Sequence, residues 1–237
     1  MMKKIFKKVV ATCLSVLMCL IVNIPIYASE NTSDIDRMFK KAYMNASNVD
    51  TKYATLISPT GEKSIVKMFS YQTEPKYNIN GDSQGEKSQT YVVSLEDQYI
   101  YPLSSGNQSR EEWDETGGIR AYLTIYYTVS HSSGQGDGYL LTRVKGGWER
   151  ADTSLSLTNK EVLYTCKEGI NPDQYEEKYP SGLTFSYSTG FTEPAHEQAF
   201  DATCGATSMI DISRSSGKWS LWVTNAVLNE GNMPYPK

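Results

Sequence analysis

Few groups in this chain suit covalent chemistry: two histidines, His131 and His196, and two cysteines beyond the N-terminal apolar run, Cys166 and Cys204. His196, Asp201 and Cys204 lie close in sequence, and a cysteine hydrolase needs a thiolate, a base and an orienting acid. Those groups must also converge in space, and no family motif surrounds Cys204. A bridge between Cys166 and Cys204 would remove the nucleophile altogether. Zinc requires a tight His/Cys constellation, which two distant histidines and two distant cysteines do not suggest. No catalytic residue, metal or cofactor is expected.

Carboxylates offer a second chemistry. Glu111, Glu112, Asp114 and Glu115 surround Trp113, while Glu176 and Glu177 stand near Tyr175 and Tyr179. Glycoside hydrolysis commonly sets two acids across a sugar-binding cleft, so a secreted polysaccharide hydrolase is the alternative functional reading. Asn78, Asn80, Asp82 and Glu86 supply spaced oxygens of the kind calcium takes, but glycine does not fall where an EF-hand loop needs it.

The aromatic inventory favours binding over catalysis. The chain has 17 tyrosines, and aromatic platforms hold sugars by stacking and peptides by apolar contact. Tyr122 and Tyr126, with Arg120, alternate along one face of a strand, and Trp222 sits on the minor face of another. These four are the candidate ligand-binding residues. The competing reading puts the same face under a second layer.

The elements that would position them follow from periodicity. Ile119, Ala121, Leu123, Ile125, Tyr127 and Val129 alternate with Arg120, Tyr122, Thr124, Tyr126 and Thr128, which predicts a long half-buried strand. Residues 139–145 return as its hairpin partner. Further strands are expected over 53–58, 64–71, 90–95, 153–158, 161–167, 183–188, 205–214 and 218–225, each bounded by turn residues such as Pro59-Thr60-Gly61-Glu62 and Ser215-Ser216-Gly217. Asn159-Lys160 reads as the tip of a hairpin, and 168–181 as loop. Only 33–46 spaces its apolar residues helically, with Met38, Phe39 and Ala42 on one stripe. About ten strands without strand–helix alternation predict an all-β, single antiparallel β-sandwich with one N-terminal amphipathic helix.

Lys3, Lys4, Lys7 and Lys8 precede an apolar run from Val9 to about Ile26, with small Ala28 at a cleavage position. This predicts a signal peptide over 1–28, then a helix segment at 29–50 and a sandwich domain at 51–237. Removing four lysines and no acid takes the formal charge from −4 to −8. Such a chain lacks the clustered cations that nucleic acid or anionic lipid would need. No second long apolar run follows, so no membrane span is expected after cleavage. In an exported protein Cys166 and Cys204 permit one disulfide, the other reading being two buried, inert thiols. The expected function is a non-enzymatic binding module, secreted or at the cell surface, with a carbohydrate or protein partner.

Overall fold

The computed structural model describes residues 34–45, 52–73, 85–95, 101–102, 118–132, 134–169, 174–215 and 217–234. The predicted signal segment and the acidic group 111–115 lie outside the described residues. Asp34–Asn45 forms α1. The strands are β1 (Lys52–Ile57), β2 (Lys63–Thr73), β3 (Lys87–Ser94), β4 (Tyr101–Pro102), β5 (Ile119–Ser132), β6 (Gly136–Arg150), β7 (Ser156–Lys167), β8 (Tyr175–Lys178), β9 (Thr184–Ser188), β10 (Ala195–His196), β11 (Thr203–Arg214) and β12 (Gly217–Leu228). α1 and the strands belong to one compact unit beginning at Asp34.

All pairings are antiparallel, in the order β10-β6-β5-β3-β2-β1-β12-β11-β7-β8, with β4 on β2 and β9 on β6. The expectation of an antiparallel, mostly β chain with one helix holds. The strands follow one curled path, however, rather than two separate sheets. The corner is β2: Lys63–Met68 pairs with β1, while Phe69–Thr73 pairs with β3. A strand that changes partners midway turns the sheet without breaking it.

One core fills the concave side. The odd residues Ile119, Ala121, Leu123, Ile125 and Tyr127 of β5 are all buried in it, together with Leu56 and Val66 from β1 and β2 and Ile210, Leu221 and Val223 from β11 and β12. Two-residue periodicity thus located the core face of β5. Asn225 on β12, fully buried, donates from Nδ2 to the carbonyls of Gln89 and Leu123 at 2.9 and 2.8 Å, tying β12 to β3 and β5.

Among the strand assignments that differ from the sequence expectation, β7 and β8 matter most for the site. Asn159-Lys160 is no hairpin tip: β7 runs straight through it, and these two residues oppose Ile210 alone on β11. That is a β-bulge, with Asn159 left-handed at φ 46°, a conformation asparagine tolerates better than most residues. Its side chain donates to Asp211 at 2.6 Å. The predicted loop 168–181 contains β8, whose Tyr-Glu-Glu-Lys sequence lacks the apolar alternation of a half-buried strand.

A second bulge falls opposite the Cys204–Gly205 step of β11, where Val227 of β12 is the extra residue between the partners Leu228 and Ala226. A Cβ on Gly205 would stand 2.5 Å from the Asn225 carbonyl oxygen and 2.6 Å from Cα of Ala226, both backbone. Gly205→Ala should therefore force the β11–β12 ladder apart and cost about 1–3 kcal/mol. Chemical denaturation of the variant checks this, and an unchanged midpoint would contradict it.

Candidate functional site

The sheet path ends at β8 on one side, and on the other at β6, whose outer edge is shared by β9 (at Arg143–Gly147) and β10 (at Gly138–Tyr139). Side chains meet where these two ends approach. A file of rings runs along the seam: Trp148 to Phe185 at 5.2 Å, Phe185 to Tyr187 at 5.7 Å, Tyr187 to Tyr164 at 6.3 Å and Tyr164 to Phe191 at 5.8 Å. Rings at such separations contribute about 0.5–1.5 kcal/mol per pair beyond their burial.

Gln174, just before β8, is the polar clip of the seam. Its Oε1 accepts the backbone N–H groups of Thr192 and Glu193, each at 2.9 Å. Its Nε2 donates to the carbonyls of Glu193, at 2.7 Å, and Cys166. Glu168 supplies a second tie, accepting from the His196 backbone N–H at 2.7 Å and meeting His196 Nδ1 at 2.6 Å. Cys166, Lys167, Glu168, Gln174, Glu193 and Pro194 enclose a cavity of about 180 Å³.

Along β8 and Tyr179, the residue just after it, side chains two apart share a face. Tyr175 and Tyr179 both direct their hydroxyls onto the Glu177 carboxylate, Tyr175 at 3.4 Å. The rings stay open to solvent, at 39% and 69% exposure. Burial first, and then the neighbouring Glu177 charge, push the Tyr175 hydroxyl above its usual pKa. Glu176 faces the other way and pairs with Lys178 at 2.7 Å. Adjacent residues of a strand cannot converge on one sugar, so Glu176 and Glu177 do not make the acid pair considered from the sequence.

The four ligand-binding candidates separate. Tyr122 is only 4% exposed, packed with Val92 under Phe39 and Ala42 of α1. This corrects the reading of its face as an open platform: the amphipathic stripe of α1 needs an apolar partner, and Tyr122 with Val92 provides it. Arg120 lies under the same helix. Its guanidinium bonds Asp36 at 2.6 Å and Glu149 at 2.5 Å and sits 5.6 Å from the Phe39 ring centre. Burial opposes its charge, but those two carboxylates hold it more firmly protonated than usual. Arg120 and Tyr122 are therefore fastenings of the helix. Tyr126, beyond the helix, remains half-buried at the surface with Arg143 stacked at 3.8 Å. Trp222 is also half-buried, with Lys63 Nζ 5.8 Å from its ring.

His196, Asp201 and Cys204 do not assemble. His196 engages Glu168, and Asp201 accepts from Asn232 at 2.7 Å. Burial first, then its cysteine neighbour, push the Cys204 thiol well up, the opposite of an activated nucleophile. The letters Gly81-Asp82-Ser83-Gln84-Gly85 spell a hydrolase elbow, but that motif needs a helix after the serine, and strand β3 follows Gly85. Residues 78–84 of the calcium reading lie outside the described residues, and Glu86 is engaged by Thr142 and Arg143. Among the described residues, no group of three or more His, Cys, Asp or Glu side chains is arranged to hold a metal, and no helix is long and apolar enough to cross a membrane.

The sequence singles out Glu176 and Glu177 with Tyr175 and Tyr179 as acids and aromatics of a sugar-cleaving loop, not as one face of a strand. The signal was the period of two in Tyr-x-Glu-x-Tyr, hidden by a strand with no core-facing apolar residue. Nothing in the sequence marked Gln174. Compared with protein-family models, curated proteins and solved structures, the chain gives no significant match.

Proposed function

We propose that this chain is an exported, non-enzymatic binding module acting at or outside the cell surface, and that it holds a carbohydrate against the outer row of β8. The observation that carries the reading is the pair of exposed tyrosines converging on Glu177. Rings give stacking area to a sugar face, and a carboxylate accepts from sugar hydroxyls. The lysine-rich, apolar N-terminus is the basis for export. On this reading the two parts of the curled sheet, joined through β2, act as the two layers of a β-sandwich that presents its outermost strand. Tyr126 and Trp222 are accessory contacts in this reading. A polysaccharide hydrolase lacks support from Glu176 and Glu177, which point apart.

The test is depletion of the purified protein by insoluble cell-wall and plant polysaccharides. Tyr175→Ala with Tyr179→Ala should weaken binding by at least about tenfold, corresponding to about 1.4 kcal/mol, without moving the unfolding midpoint. Wild-type binding that survives both substitutions would remove β8 from the site.

A further inference from the structure

Cys166 on β7 and Cys204 on β11 stand directly opposite each other in the antiparallel ladder. Opposed residues of such a pair lie about 4.5–5.5 Å apart at Cα, within the range a disulfide spans. Both side chains are buried, and both thiols point at one acceptor, the Tyr139 carbonyl of β6, at 3.0 and 3.8 Å. The two sulfurs are not equivalent. The Cys204 thiol and the backbone N–H groups of Leu141 and Ala195 favour the thiolate of Cys166, lowering its pKa despite burial. Cys204 is shifted upward, by burial first. Only Cys166 lines the cavity at the seam, and Gln174 in the same wall holds its carbonyl.

We propose that Cys166 and Cys204 form a disulfide-exchange site in which Cys166, approached through the seam cavity, reacts with a small disulfide and Cys204 resolves the adduct. The Cys166 thiolate attacks one sulfur of R–S–S–R, making a Cys166–S–R bond and releasing R–S⁻, which takes up the proton Cys166 gave up. The Cys204 thiol then loses its proton and its sulfur attacks the Cys166 sulfur. The S–S bond between Cys166 and the R–S group breaks, and the second R–S⁻ leaves with that proton. The protein dithiol is oxidised to one bridge between β7 and β11, and the incoming disulfide is reduced to two thiols. Gln174 is a positioning residue that keeps the wall closed. This site is independent of carbohydrate binding at β8.

The experiment exposes the reduced full chain to oxidised glutathione, then counts thiols after denaturation and records intact mass. Wild type should lose both thiols and two hydrogens while retaining no glutathione. Cys204→Ser should retain one glutathione, and Cys166→Ser should react at least about tenfold more slowly, since the thiol it leaves is outside the cavity wall and the less ionised. Gln174→Ala should speed bridging several-fold. Alkylation of wild type early in the reaction, followed by peptide mapping, places the first adduct without any substitution and should find it on Cys166. The proposal is overturned if wild type keeps two thiols, if Cys166→Ser reacts as fast as Cys204→Ser, if Gln174→Ala leaves the rate unchanged, or if the first adduct maps to Cys204.

Discussion

Replacing Asp211 by Ala should lower folding stability by about 2–4 kcal/mol at neutral pH, because it removes the acceptor at the centre of a buried network. The carboxylate takes Asn159 Nδ2 at 2.6 Å, Ser220 Oγ at 2.5 Å and Lys218 Nζ at 2.8 Å. Asn159 carries the β7 bulge, so its hydrogen bond fixes the register at which β7 meets β11. Burial alone would raise the Asp211 pKa, but the bonds from Lys218, Ser220 and Asn159 more than offset it and leave it below the usual value. The sign of the pH dependence follows. A carboxylate with a depressed folded-state pKa contributes stability above its unfolded pKa and loses it as pH falls through the folded value. Wild type should therefore weaken toward acid more steeply than Asp211→Asn. Urea midpoints across the acid range measure this, and parallel curves for the two proteins would contradict it.

Tyr122→Ala should cost about 3–4 kcal/mol, the scale of a large side chain lost from a packed core. Read from alternation alone, Tyr122 belongs to a solvent face, where its truncation would be nearly neutral. In the structure it is buried against Phe39, Ala42 and Val92, and it anchors α1 to the convex side of the sheet. Met38, Phe69 and Tyr71 pack around the same cluster, so the loss should loosen the whole helix. A drop in helical circular dichroism with a lower denaturant midpoint is expected. A midpoint within about 0.5 kcal/mol of wild type would return Tyr122 to the surface.

How far the sequence reached depended on which forces fixed each element. β5, its hairpin with β6, and the β11–β12 hairpin were legible because two-residue periodicity and local turn residues determine them. The curl was not, since β2 changes partners by a bend that leaves its apolar alternation intact. Nor was the passage of β7 through Asn159, because asparagine with a left-handed φ serves a turn and a bulge equally. The site was read less well. Arg120 and Tyr122 were visible as a pair on one strand face, but only the packed helix shows that they hold α1. Tyr175, Glu177 and Tyr179 were visible as an aromatic and acidic group, but not as a strand, because an edge strand held largely by its backbone pairing with β7 carries no apolar signature.

The proposed carbohydrate site makes β8 the displayed binding edge. Its most direct test is polysaccharide depletion run side by side on wild type, Tyr175→Ala/Tyr179→Ala and Tyr126→Ala, with unfolding midpoints recorded for each. The double variant should lose at least about tenfold in affinity at an unchanged midpoint, while Tyr126→Ala should lose less than about threefold. Full binding by the double variant, with loss confined to Tyr126→Ala, would contradict it.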